Sequence, residues 1–482
     1  MRYLVQTFGC QMNAHDSRRI EEVLDGAGYV VTDDAALADV IVFNTCSVRE
    51  KAEHKLLSIL GTVRPLKEER PSLTVVVAGC VAQQEGERLL SRSAVVDVVL
   101  GPDNIAELPG LIASAQAGAP PVARTVFDLD DTRFLVASPR PHDSERGREV
   151  TSFVTVMKGC DERCTFCVVP YTRGPERYRA SSEIVAEVRA MALGGTREIT
   201  LLGQTVNSWH EPGTDEAGES AFASLLERIA REVPELARLR YTSPHPRHVT
   251  SALVRAHAEL PVLPAHVHLP VQSGSNRVLK RMLRRYTREH YVERAHALKS
   301  ARAGLTLSTD VIVGFPGETR AEFEETLSLV REVGFSAAFA FKYSPRPHTP
   351  ALKLDDDISE DEKDARLAEL FEVVAVGQRA HLASLVGTRA EVLVEGPGKE
   401  RGAALRYRGR SERHEIVHFD VPEGRDPTGM IVSVSLARAN DHSLEGVLDL
   451  DVAASLPKAS IARATPPKPR SLRRLPTLSE AS

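Results

Sequence analysis

The chain contains no apolar run near the roughly 18 residues that a membrane span needs. Met1 to Cys10 show no basic stretch leading into an apolar core. Neither a membrane span nor a secretory leader is therefore expected, and a cytoplasmic protein is. An excess of positive charge is also missing: 61 Lys and Arg stand against 66 Asp and Glu, a net charge of −5. That excludes a uniformly basic surface and confines any nucleic-acid contact to a local patch. Cysteine is scarce and unevenly placed. There are six, Cys10, Cys46, Cys80, Cys160, Cys164 and Cys167, and residues 168–482 carry none. A reducing cytoplasm disfavours reading them as three disulfides, and clustered thiols in such a chain more often bind metal or do chemistry.

A chain of 482 residues exceeds one core, so several domains are expected. In residues 1–130, apolar runs at 3–5, 40–43, 75–78 and 95–100 alternate with helical patterns at 16–24 and 50–60. This alternation predicts a doubly wound parallel α/β domain. Residues 131–149 are polar and read as a linker. A second α/β series occupies 150–376, with strands expected at 153–157, 198–202, 239–242, 265–271, 305–313 and 337–342. Six βα units over this length predict a partial (β/α)6 barrel, because a complete eight-unit barrel needs roughly 250 residues. From 377 to 448 short β segments at 390–394, 404–408, 415–419 and 430–437 predict a small antiparallel barrel. The tail, 449–482, is rich in Pro, Lys and Arg and is expected to be disordered.

Cys160-Asp161-Glu162-Arg163-Cys164-Thr165-Phe166-Cys167 has C-x3-C-x2-C spacing and follows the first expected barrel strand. Three thiolates leave a tetrahedral zinc one ligand short. They suit three irons of a [4Fe–4S] cluster whose fourth iron stays open to the amino and carboxylate groups of S-adenosylmethionine (SAM). Cys10, Cys46 and Cys80 lie far apart in sequence, yet each follows an apolar strand. Ligands of open α/β sheets gather beyond the carboxyl ends of strands. By position alone, a second three-cysteine cluster and three ordinary buried cysteines weigh equally; the presence of the first motif favours the cluster. A colourless zinc protein that binds RNA without catalysis is the competing class.

Longer motifs then carry a family resemblance. They are Thr7-Phe8-Gly9-Cys10-Gln11-Met12-Asn13, Asn44-Thr45-Cys46-Ser47-Val48-Arg49, Gly79-Cys80-Val81-Ala82-Gln83-Gln84 and Cys164 through Gly174. Further on come His268 through Ser275 and Asp310 through Thr319. Together they resemble the radical-SAM methylthiotransferases. Leu202 through Ser208 and Tyr171-Thr172-Arg173-Gly174 resemble the branch acting on isopentenyl-adenosine of tRNA best. The resemblance implies an N-terminal methylthiotransferase domain, a radical-SAM core and an RNA-binding TRAM domain. It implies two [4Fe–4S] clusters, on Cys10, Cys46 and Cys80 and on Cys160, Cys164 and Cys167, the latter catalytic. One SAM would donate methyl and a second would supply the radical that opens carbon 2 of adenine to methylthio transfer. The implied partners are tRNA with isopentenylated adenosine beside the anticodon, a flavodoxin- or ferredoxin-like electron donor, and iron–sulfur and sulfur supply proteins; no membrane is involved. Sister branches act on threonylcarbamoyl-adenosine of tRNA or on an aspartate of a ribosomal protein. Thr205, Trp209, His348, His414 and Tyr178 depart from the pattern and bear on substrate preference.

Placed at strand ends, Gln272, Ser273 and Asp310 are candidates for SAM, with Phe166 beside the last cysteine. Two basic stripes are candidates for RNA: Arg277, Lys280, Arg281, Arg284, Arg285 and Arg288, and Arg406, Arg408, Arg410 and Arg413 beside the aromatic Tyr407.

Overall fold

In the computed structural model, which describes residues 1–47, 50–127, 149–213, 221–398 and 405–457, six parallel strands form the first sheet. They are β1 (Arg2–Thr7), β2 (Val30–Val31), β3 (Val40–Thr45), β4 (Thr74–Gly79), β5 (Val98–Leu100) and β6 (Val122–Arg124), in the order β2-β1-β3-β4-β5-β6. Strands β3 and β4 are buried at every position. Alternate side chains enter different cores: Ile41, Phe43, Val75 and Val77 pack with Leu56, Ile59 and Leu60 on one face. Val40, Val42, Val76 and Ala78 pack with Ile20 and Leu24 on the other. A sheet covered on both sides has no polar face, which is why these strands read as unbroken Val/Ile runs. The strand expected at 95–100 shortens to Val98–Leu100. Edge strands β2 and β6, two and three residues long, are too short to leave a pattern.

The second body begins at β7 (Thr151–Thr155), followed by a short hairpin of β8 (Met157–Lys158) and β9 (Arg177–Tyr178) that encloses the clustered cysteines. Then come β10 (Glu198–Leu202), β11 (Arg238–Tyr241), β12 (His266–His268), β13 (Thr306–Val313) and β14 (Ala337–Lys342). They pair in two parallel runs of three, β11-β10-β7 and β12-β13-β14, around one large apolar core. The expected six-unit partial barrel is thus present. The strand expected at 265–271 contracts to His266–His268, because Pro264 and Pro270 bracket it and cannot donate to a ladder.

Helix Glu360–Leu385 runs straight through the expected boundary at 376/377, packing on β14 at one end and on the last domain at the other. That domain is a closed barrel of β15 (Arg389–Pro397), β16 (Arg406–Arg410), β17 (Ile416–Asp420), β18 (Ile431–Ala439) and β19 (Leu444–Leu448), ordered β15-β16-β17-β19-β18. Its pairings are antiparallel except β17 with β19, which is parallel. The expected strand 404–408 shifts to Arg406–Arg410, and position 404 lies outside the described residues. The start of the tail expected to be disordered instead forms helix Leu450–Ser455, with Leu456 buried against the barrel. The rest of the tail, and the linker apart from Glu149, lie outside the described residues. Among the described residues no helix is long and apolar enough to cross a membrane.

Candidate functional site

Cys10, Cys46 and Cys80 stand at the carboxyl ends of β1, β3 and β4, three neighbours in the sheet. The Cys10 and Cys46 sulfurs are 4.0 Å apart. Two buried amides tie the first two loops together, and Thr45 Oγ1 donates to the Ala78 carbonyl, just before the third, at 3.1 Å. Asn13 Nδ2 donates to Asn44 Oδ1 at 2.9 Å and to the Thr45 carbonyl at 3.0 Å, and Asn44 Nδ2 donates back to the Asn13 carbonyl at 2.8 Å. The Cys10 thiol donates to Asn13 Oδ1 at 3.3 Å. Glycines beside the cysteines leave the needed room. A Cβ on Gly9, whose φ is +128°, would lie 2.1 Å from Cys46 Cβ, and one on Gly79 would lie 2.3 Å from Asn44 Oδ1.

Cys160, Cys164 and Cys167 occupy the loop inside the β8–β9 hairpin, beyond the carboxyl end of β7. Gly159 again admits a close approach: a Cβ there would lie 1.9 Å from the Pro175 carbonyl oxygen. The Cys160 sulfur is 3.1 Å from Thr205 Oγ1, and Arg284 Nη1 donates to the Cys164 sulfur at 3.2 Å. Burial pushes the Cys160 thiol up to about 11 and the Cys167 thiol up to about 12. The Cys46 contact, against the opposing effect of burial and with help from Arg173, draws Cys10 down to about 6.

None of the six cysteines is joined in a disulfide among the described residues. Among the described residues, the only three such ligand atoms within 4.8 Å of one another belong to Glu162, His245 and His248. Neither thiol trio is therefore gathered round a single ion, whose tetrahedral sulfurs would sit about 3.8 Å apart. Two open, three-thiol cradles with glycine clearance fit polynuclear iron–sulfur clusters better than zinc.

Of the SAM candidates, Gln272 and Asp310 are brought together, while Ser273 and Phe166 pack against other partners. Gln272, in the left-handed region at φ +74°, bridges to Val311 on β13 and donates its amide to the Asp310 carbonyl at 2.9 Å. Asp310 Oδ2 lies 3.4 Å from His268 Nε2. Ser273 is fully buried, with its hydroxyl 3.4 Å from Thr326 and accepting from the Ser275 amide. Phe166 packs with Val278, Met282 and Phe315. Gln204, just past β10, was missed as a candidate: both its side-chain amide atoms are closed off from water without a partner. Also missed were Glu162 and His245, whose Oε2 and Nε2 face each other unpartnered at 3.9 Å. The signal was present in Glu162, an acid inside the cysteine motif.

The basic stripes divide: Lys280 and Arg285 stay exposed, while others are drawn into contacts within the chain. Arg284 is buried on Cys164 instead of facing solvent. Arg277 is paired with Glu322, and Arg288 lies 2.6 Å from Glu332. On the small barrel Arg406 pairs with Glu445 at 2.8 Å, Arg410 with Glu395 at 2.9 Å and Arg408 with Glu395 at 3.5 Å. Arg413 donates to the Gly304 carbonyl at 3.2 Å. Tyr407 points into the barrel core at 2% exposure, so it offers no stacking face. Of the departing residues, Thr205 reaches the cysteine site itself, and His348 lies by Tyr171 with ring centroids 5.8 Å apart. Trp209 is buried, donating to the Arg179 carbonyl at 2.9 Å. Tyr178 lies against His210, and His414 stacks on His266 where the two barrels meet.

Residues 2–101 match the uncharacterized protein family UPF0004, and residues 154–330 match the radical SAM superfamily. Over 463 residues the chain is 61% identical to a tRNA-2-methylthio-N(6)-dimethylallyladenosine synthase of Sorangium cellulosum (strain So ce56), covering 93% of each chain. This chain belongs to the tRNA-2-methylthio-N(6)-dimethylallyladenosine synthase family. Its fold is shared with solved structures of the radical S-adenosylmethionine methyltransferase TsrM from Kitasatospora setae. One holds cobalamin and a [4Fe–4S] cluster (TM-score 0.52, 15% identity, 83% of this chain and 81% of that chain). Another holds tryptophan substrate and a SAM analog (TM-score 0.53, 14% identity, 83% and 79%). Within the synthase family, the UPF0004 region is the sheet bearing Cys10, Cys46 and Cys80, and the radical SAM region carries the second trio.

Proposed function

We propose that this chain is a tRNA methylthiotransferase that converts N(6)-isopentenyladenosine next to the anticodon to its 2-methylthio derivative, using SAM and two [4Fe–4S] clusters. The observation that carries the proposal is the pair of three-thiol cradles, joined by one short helix, in a chain of this family. With clusters bound, the Cys160, Cys164 and Cys167 site supplies reductive cleavage of one SAM, and the Cys10, Cys46 and Cys80 site holds the sulfur that another SAM methylates.

The chain's own residues bind and orient. Gln204, Gln272 and Asp310 offer amide and carboxylate groups to the polar end of SAM, while Phe166 and Ile312 bound an apolar wall. Asn13 and Asn44 keep the Cys10 and Cys46 loops in register, and Thr45 ties the latter to the strand before Cys80. Arg284 supplies a buried positive charge at Cys164. Of the four arginines in the small-barrel stripe, Arg408 keeps the most exposed side chain toward RNA (57%). The reading includes a flavodoxin- or ferredoxin-like electron donor, proteins that supply iron–sulfur clusters and sulfur, and a cytoplasmic site of action. It also places the radical-SAM core at 150–376 and the TRAM domain at 377–448, with helix Glu360–Leu385 spanning their border.

Mass spectrometry of tRNA nucleosides from cells lacking the gene tests this. The methylthio nucleoside should vanish, its isopentenyl precursor should accumulate, and Cys10→Ala or Cys164→Ala should fail to restore it. Unchanged nucleosides, with a purified protein that still holds iron and cleaves SAM, would move the substrate to a sister branch.

A further inference from the structure

Helix Val169–Arg173 starts two residues after Cys167 and ends at a buried arginine, 4% exposed. Arg173 does not face its own cysteine loop. Its Nη2 donates to Asp16 Oδ2 at 2.6 Å, on the helix that follows Cys10, and its positive charge opposes the upward push of burial on the Cys80 thiol. The helix that starts at Cys80 packs directly on Val169–Arg173. Asp16 is itself 5% exposed, so a cation and an anion are enclosed together beside the N-terminal trio. Burial works against both charges, yet the Asp16 carboxyl is held well below the usual carboxylate range, Arg173 being the main opposing influence, and Arg173 stays firmly charged.

We propose that Arg173 is a positioning residue for the N-terminal site: it holds a fixed positive charge against the Cys80 side of that cradle, with Asp16 as its counterweight, and so sets the reduction potential of the cluster bound there. The inference rests on the reading that Cys10, Cys46 and Cys80 hold an iron–sulfur cluster. Each electron added makes a thiolate-bound cluster more negative, so a buried cation beside it favours the reduced form, and a buried carboxylate disfavours it. Because Arg173 is six residues from Cys167, anything that moves the loop of the SAM-cleaving site moves this charge too. Domain docking alone would predict lost stability without a change in potential.

The test uses the full-length chain carrying Cys160→Ala, Cys164→Ala and Cys167→Ala, so that iron, sulfide and the potentiometric signal report the N-terminal site alone. Arg173→Gln should shift the midpoint potential negative at unchanged iron content, and Arg173→Lys should shift it less. Asp16→Asn should shift it the opposite way, positive. Opposite signs from the two partners support the inference, since a mere clasp would weaken alike from either side. Unmoved potentials in iron-replete variants overturn it. If Arg173→Gln fails to fold, Asp16→Asn still decides: no positive shift overturns the proposal. A parent chain without iron overturns the cluster reading itself, and the inference with it.

Discussion

At the scale of single residues, close approach and buried charge govern the site. Gly9 sits where any Cβ would collide with Cys46. Gly9→Ala should displace that thiol and lower the iron bound per chain by close to half, with the loop of Cys160, Cys164 and Cys167 still loaded; iron and sulfide analysis checks it. Buried charges act as strongly. Arg179 and Glu187 pair with both side chains only 1% exposed. Glu187→Ala leaves the Arg179 guanidinium with only the carboxylate of the largely exposed Glu183, 3.4 Å away, so it should destabilise the barrel by up to about 3 kcal/mol in denaturant unfolding. Of the candidate site residues, the six cysteines were legible in the sequence because thiols are rare in this chain. Arg284 was read as surface because a run of basic residues looks solvated. Only the packing of its neighbours shows one of the six turned inward onto a thiol.

At the scale of elements, strand ends hold the ligands and helix caps hold the strands. Helix Arg320–Val333 opens with Thr319, whose hydroxyl accepts from the Glu322 amide while the Glu322 side chain accepts from the Thr319 amide. Losing an ordinary cap of this kind costs about 1 kcal/mol of stability, the baseline for Thr319→Ala in denaturant unfolding. The effect should exceed that, because Glu322 also anchors Arg277. Periodic helices were placed from pattern alone, the expected 16–24 lying within helix Gln11–Gly26. The long helix Glu360–Leu385 was missed, because its polar residues surround it and its few buried positions, among them Leu370 and Val374, serve two different domains in turn. Strand β19 escaped because it pairs parallel with β17, closing the barrel by a route no local hairpin signal announces.

At the scale of the whole molecule, the N-terminal domain docks on the radical-SAM barrel through polar contacts. Asp103 takes Arg177 at 2.7 Å and Lys158 at 3.4 Å, both flanking the cysteine loop, and His15 meets Thr155 at 3.1 Å. Asp103→Ala should loosen this joint, so that SAM cleavage persists while methylthio product falls; the ratio of 5′-deoxyadenosine to product measures it. Global stability should also fall in acid. Burial, with Arg302 nearby, pushes the His257 imidazole down from its ordinary 6.5 to about 4, and Tyr241 OH lies 2.7 Å from its Nε2. The unfolded chain then binds the extra proton between those values, so stability decreases as pH falls from 6.5 toward 4, by about 3 kcal/mol from this group. His257→Gln should flatten that part of the curve in pH-dependent unfolding.

What the sequence determined alone is whatever local chemistry can spell. It spelled two sets of three thiols each following a strand, the glycines that make room for them, the alternation that builds a parallel sheet and then a partial barrel, and the motifs that place the chain in its family. What only tertiary structure decided is which distant groups share a buried volume. Asp16 and Arg173 are 157 positions apart, and Cys164 and Arg284 are 120 apart. Neither pair has a periodicity or spacing to betray it. The physical reason is that a charge becomes costly, and so specifically partnered, only once the fold removes it from water.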